Sequence, residues 1–137
     1  RKLINKQENK NFICIPILMN WKNIWSKRLK NYLSDMETLK FDNEFYLREI
    51  GKKVKSSSEI MGQYMGIIYI PNKEKKKFLK YYNDSQWKKK QVTVFLNYLV
   101  KKKIKIKCIK YYGPWYEFDK ISELKNFKKN FRFKNFL

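Results

Sequence analysis

Val92-Thr-Val-Phe-Leu-Asn-Tyr-Leu-Val-Lys-Lys-Lys-Ile-Lys-Ile-Lys-Cys-Ile-Lys-Tyr-Tyr112 is the stretch on which the reading of the fold turns. Val92 to Val100 reads as a helix, and Ile104 to Tyr112 alternates lysine with isoleucine or cysteine, as a strand does. A helix running straight into a strand predicts a parallel crossover. Phe12-Ile-Cys-Ile-Pro-Ile-Leu18 is a short continuous apolar run of the kind found in buried strands, with Pro16 expected at an edge or strand end.

Between these two segments, Trp21, Ile24, Trp25, Leu29 and Leu33 recur at spacings of three and four, which predicts an amphipathic helix. Glu37 to Phe41 and Glu44 to Ile50 alternate about the turn Phe41-Asp42-Asn43-Glu44, a hairpin that Gly51 is expected to end. Ile60 to Ile70, the most apolar stretch, predicts a central strand with glycines where another group approaches closely. Glu74 to Tyr82 reads as a helix with Phe78, Leu79 and Tyr82 on one face. After Gly113-Pro114, a short strand from Trp115 to Phe118 and a helix from Ile121 to about Phe127 are expected, with Asp119 as its cap and Glu123 in its first turn. The order is mixed α/β, with no repeat and no dividing linker, so residues 1–137 are read as one domain.

With 137 residues, 43% of them hydrophobic and 18% aromatic, the chain has apolar surface for one core and is not a disordered tail. Cys14 and Cys108 sit in apolar runs rather than at ligand spacing, and with no histidine a zinc site, a Cys/His nucleophile and histidine acid/base catalysis are excluded, so the two cysteines read as inert core residues. No apolar run reaches membrane-spanning length and no signal peptide is evident, so a cytoplasmic, reduced protein is expected. The net charge of +21 suggests a polyanion partner, but 29 of the 33 basic residues are lysine, scattered over every segment, and alanine is absent. That usage reflects an AT-rich coding bias, whereas base readers prefer the arginine fork. A non-catalytic basic module binding nucleic acid or another polyanion is therefore kept as the alternative reading.

No glycine lies in a phosphate-cradling motif. Acidic residues are scarce, which draws attention to Asp35 with Glu37, to Glu49, and to Glu117 with Asp119. In a strand, the last pair would face one side and could share a divalent cation. A surface turn followed by a helix cap explains the same spacing.

Asn20-Trp21-x-x-x-Trp25-x-x-Arg28-Leu29, Asp35-x-Glu37-Thr38, Glu49-Ile50-Gly51-Lys52-Lys53, Gln63-Tyr64-Met65-Gly66, Thr93 and Trp115-Tyr116-Glu117-Phe118-Asp119 occur in that order between about Phe12 and Lys128. Together they resemble the C-terminal half of the bacterial phosphocholine cytidylyltransferase-like nucleotidyltransferases, small relatives of the sugar-1-phosphate nucleotidyltransferases. The resemblance implies an α/β, Rossmann-like (glycosyltransferase-A-like) sandwich lacking its N-terminal nucleotide-binding portion. It implies transfer of a nucleotidyl group, CMP from CTP, to a phosphorylated small molecule such as phosphocholine, with Mg²⁺ and release of pyrophosphate. A sugar-1-phosphate acceptor is the neighbouring alternative.

Carried over residue by residue, the resemblance assigns the metal to Asp119, with Glu117 beside it facing substrate or metal. Trp21, Gln63, Tyr64, Gln91, Trp115 and Tyr116 become substrate contacts, and Lys52 and Lys53 phosphate contacts. Trp21 and Trp25 also read simply as the buried face of a helix, and the lysine pair as a solvated turn. Two positions depart from the family: Leu18 and Gln91 stand where many relatives have aspartate, and Gln91 offers hydrogen bonds but no charge. The resemblance also implies that this chain alone is inactive, and that a missing N-terminal half or a second copy is its partner. Apolar surface along Phe12 to Leu18 and Ile60 to Ile70 is expected to be exposed for that contact.

Overall fold

The computed structural model describes residues 11–28, 32–83, 85–87, 89–118 and 120–130. Strand β1 (Ile13–Leu18) pairs in parallel with β5 (Ile106–Tyr111), from Ile13 opposite Ile106 to Leu18 opposite Tyr111. The connection to β5 runs through helix α3 (Val92–Lys101), so the crossover expected from the sequence is present. On its other side β1 meets the two-residue strand β4 (Gln63–Tyr64), giving the order β4-β1-β5. A second sheet is the hairpin of β2 (Glu37–Phe41) and β3 (Leu47–Lys53). The remaining helices are α1 (Trp21–Arg28), α2 (Asn72–Tyr82) and α4 (Ile121–Asn130).

All six residues of β1 are buried, because the strand is covered on both faces, as parallel strands usually are. Ile13, Ile15 and Ile17 point into the larger core with Leu39, Ile50, Phe95, Leu96, Leu99 and Ile106. Leu18 faces the smaller core of Trp21, Ile24, Trp25, Met36, Ile60 and Met65. The expectation that Phe12 to Leu18 exposes apolar surface is thus corrected, since the sheet faces already have partners. Of the Ile60 to Ile70 stretch, Met61 and Ile67 are exposed.

Pro16 lies in the middle of the central strand, not at an edge. The backbone N–H and C=O of Cys14 both bond to Tyr69, so the even-numbered residues of β1 turn their polar groups away from β5. Pro16 therefore lacks an N–H on the β4 side, where its carbonyl still accepts from Met65 at 3.3 Å, and the ladder to β5 is intact. The same absence explains why Ile60 to Ile70 is not a central strand. It pairs at Gln63 and Tyr64, leaves β1 opposite Pro16, where Gly66 takes φ 72°, and returns only at Tyr69.

Other expectations are adjusted in the same way. Helix α1 is described over Trp21–Arg28, and Leu33 falls in a 3-10 turn (Tyr32–Asp35), with Leu29 outside the described residues. In α2 Phe78 is buried while Leu79 and Tyr82 are exposed, although the Tyr82 ring still contacts Phe78 and Phe95. Trp115 to Phe118 is irregular rather than a strand, and Asp119 lies outside the described residues. The hairpin turn forms where predicted: the Asp42 carboxylate accepts from the N–H groups of Glu44 and Tyr46 at 3.0 and 2.9 Å.

Gly51 does not end the hairpin. It sits inside β3 at φ 83°, where Lys53 opposes Glu37 but Ile50 opposes Leu39, so one extra residue is accommodated as a bulge. A Cβ at this glycine would lie 3.0 Å from the backbone carbon of Thr93, so the bulge is what lets α3 settle on β3. Both the left-handed backbone and the close approach require glycine. Gly51→Ala is therefore expected to destabilise the fold by about 1–3 kcal/mol, measured as a lower midpoint of urea unfolding. An unchanged midpoint would show that the bulge relaxes freely.

Candidate functional site

The first turn of α3 opens onto a cleft of about 380 Å³ lined by Asp35, Glu37, Gln63, Tyr64, Gly66, Gln91, Val92, Thr93 and Glu117. Each element contributes for a local reason. Asp35 closes the 3-10 turn and Glu37 starts β2, so the two acids flank the entry to the hairpin. Gln63 and Tyr64 are held by pairing with Leu18 and Ile17. Gln91 occupies the N-cap position of α3 without a side-chain capping bond, which leaves its carboxamide available to a ligand. Glu117 reaches over Gly66, where a Cβ would stand 3.6 Å from its Oε1.

Three of the chain's twelve acidic residues line this cleft, and none of the described lysines and arginines does. On a protein carrying +21, this is a locally negative site. A cleft of similar volume near the opposite end of α3 has the contrary character, lined by Arg48, Lys103 and Lys105 with Glu44 and Tyr46, and contains none of the sequence-derived candidates.

A smaller cavity of about 40 Å³ is lined by Glu37, Gln63, Tyr64 and Thr93 together with Thr38, Leu39 and Ile50, so its wall shares residues with the cleft. Thr93 is only 8% exposed and its Oγ1 has no hydrogen-bond partner, whereas Oγ1 of Thr38 accepts the backbone N–H of Lys52 at 3.3 Å. An unpartnered buried hydroxyl beside a cavity is an unmet hydrogen-bonding demand. Burial, and secondarily the charge of Glu117, pushes the Tyr64 phenol up to about 12, so it remains a hydrogen-bond donor at neutral pH.

Of the sequence candidates, Gln63, Tyr64, Gln91 and Glu117 come together in the cleft. Trp21, Trp115 and Tyr116 do not line it. Trp21 is buried in the smaller core, edge-on to Tyr32, and Trp115 and Tyr116 pack beside it, with Tyr116 also against Phe127 of α4. Lys52 and Lys53 are exposed and outside the lining, and Lys52 is paired with Glu49, which also holds Lys40 at 3.2 Å. Asp35, Glu37 and Thr93 were not assigned roles from the sequence. The scarcity of acids marked the first two, and only the crossover geometry brings Thr93 beside them.

The carboxylates supply hard oxygen donors of the kind Mg²⁺ prefers. Among the described residues no three Asp, Glu or Cys side chains converge on one metal position. None of the described helices is long and apolar enough to cross a membrane.

Comparison with known proteins adds one relative. The chain is 32% identical over 133 aligned positions to a CTP:phosphoglutamine cytidylyltransferase of Campylobacter jejuni subsp. jejuni serotype O:2, the alignment covering 90% of this chain and 51% of that protein. The chain thus spans about half the length of the curated relative it matches. This similarity supports a cytidylyltransferase-like chain over most of its length, and together with the mixed α/β structure fits an α/β nucleotidyltransferase-like fold. No family model matches.

The raised Tyr64 pKa carries a stability signature. A phenol whose pKa is higher in the folded state contributes stability in full below its unfolded value near 10, and loses it as pH rises toward 12. Tyr64→Phe is therefore expected to make the alkaline fall in melting temperature between pH 10 and 12 shallower than in the parent protein. Identical slopes would mean that Tyr64 is solvated.

Proposed function

We propose that this chain belongs to the cytidylyltransferases and forms the acceptor-binding part of an enzyme that transfers CMP from CTP to a phosphorylated small molecule. The observation that carries this reading is the meeting of Gln63, Tyr64, Gln91 and Glu117 in one cleft, in a chain similar over 90% of its length to a CTP:phosphoglutamine cytidylyltransferase.

In such a transfer a phosphate oxygen of the acceptor attacks the α-phosphorus of CTP. A new P–O bond forms as the bond from the α-phosphorus to the β-bridging oxygen breaks, and pyrophosphate leaves with that electron pair. No protein nucleophile takes part, which suits a chain without histidine whose thiols burial pushes up to about 11 at Cys14 and about 12 at Cys108. The resemblance assigns Mg²⁺ to Asp119 with Glu117 beside it, and these residues would hold the ion so that it would neutralise charge at the phosphates. The N-terminal turn of α3, the positive end of its helix dipole, favours an anionic phosphate at the cleft mouth. Gln63 and Gln91 offer the hydrogen bonds that orient the acceptor. Phosphocholine, the phosphoglutamine of the relative's name and a sugar 1-phosphate are the acceptors to compare.

The protein expressed from the whole reading frame containing this sequence is expected to release pyrophosphate from CTP when Mg²⁺ and a phosphorylated acceptor are present. Glu117→Gln and Asp119→Asn are each expected to lower turnover by about a hundredfold or more, with little change in melting temperature. No release with any of phosphocholine, phosphoethanolamine, phosphoglutamine or glucose 1-phosphate would overturn the proposal. Near-parental turnover in Asp119→Asn would remove the metal role from that residue.

A further inference from the structure

The smaller cavity that shares its wall with the cleft bears on what the acceptor's head can be. At about 40 Å³ it has room for one or two water-sized groups. A trimethylammonium, with a methyl on every free valence of its nitrogen, has no N–H to offer the cavity wall. Its wall is also built for hydrogen bonding: Thr93 Oγ1 is buried without a partner, Glu37 makes no ion pair or side-chain hydrogen bond among the described residues, and Gln63 adds a carboxamide.

Recognition of a quaternary ammonium relies on several aromatic faces. Among the described residues Tyr64 is the one aromatic in either lining, while Trp21, Trp115 and Tyr116 are packed with the smaller core. Charge favours a cation nonetheless. The N-terminus of α3 contributes roughly half a positive charge, against the carboxylates of Asp35, Glu37 and Glu117. A cation that is small and carries N–H donors meets all of these conditions together.

Resting on the acceptor-cleft reading above, we propose that the phosphorylated acceptor carries a primary ammonium that enters the smaller cavity. Thr93 and Glu37 are then the residues that select it over a quaternary ammonium. The Thr93 hydroxyl accepts one N–H, the Glu37 carboxylate a second, and the phosphate remains toward the cleft mouth.

Phosphoethanolamine and phosphocholine carry the same phosphate and one cationic nitrogen each, and only the first donates N–H bonds, so calorimetric titration of the protein from the whole reading frame with both probes tests the idea. Phosphoethanolamine is expected to bind about tenfold tighter or better. Thr93→Val and Glu37→Gln are expected to erase that preference by weakening phosphoethanolamine binding alone. Thr93→Ser, which keeps the hydroxyl, is expected to retain it. Equal affinities, a preference for phosphocholine, or a Thr93→Val variant with unchanged preference would overturn the selection while leaving the cleft as the acceptor site. If Thr93→Val does not fold, loss of preference in Thr93→Ser, or its persistence in Glu37→Gln, overturns it equally. Binding of neither probe would overturn this inference, and failure of phosphoglutamine and glucose 1-phosphate to bind as well would overturn the acceptor-cleft reading with it.

Discussion

The parallel ladder between β1 and β5 is the constraint from which the rest of the structure follows. Parallel neighbours need a crossover, and α3 supplies it, ending in the Lys102–Lys103 turn before Ile104 re-enters the core. Because the crossover packs α3 on β3, the first turn of the helix comes to rest beside the hairpin entry. The candidate site is a consequence of that packing: Glu37 belongs to the hairpin, Gln91 and Thr93 to the helix, and Gln63 and Tyr64 to the strand on the other side of β1.

Two residues that look like defects on paper make the arrangement workable. Pro16 removes a donor from the edge of β1 that does not face β5, and the opposing chain bows away there to place Gly66 under Glu117. Gly51 adds a residue to β3 in a conformation that would strain an L side chain, and the space its missing Cβ leaves is filled by Thr93. The breaks in regular pairing and the lining of the cleft are thus adjacent, as expected where functional positions and local irregularity coincide.

The charge distribution separates the surface from the site. Lysines lie over aromatic rings at several places on the surface, among them Lys107 over Tyr46, Lys110 over Phe45 and Lys90 over Trp87, with the nitrogen 4.2 to 5.2 Å from the ring centroid. Such contacts keep the stems on apolar surface and the heads in water. The cleft excludes these cations and concentrates carboxylates instead, so its character is the reverse of what net charge alone suggests.

Sequence by itself determined the elements whose signals are local. The buried run at Ile13–Leu18, the hairpin about Asp42, the helices beginning near Trp21, Asn72, Val92 and Ile121, and the helix-to-strand crossover all rest on periodicity or turn chemistry within one segment. The family resemblance added Gln63, Tyr64, Gln91 and Glu117 to one list, and the fold brings them to one cleft. Only tertiary structure decided that β1 rather than Ile60 to Ile70 is central, that Trp21 and Trp115 serve the core side, and that Thr93 is buried beside Glu37 without a partner. An apolar run reads alike whether it pairs along its length or is forced off a neighbouring strand by a proline. An aromatic or hydroxyl side chain likewise carries no record of which face it will turn toward, because that depends on how distant segments are brought together.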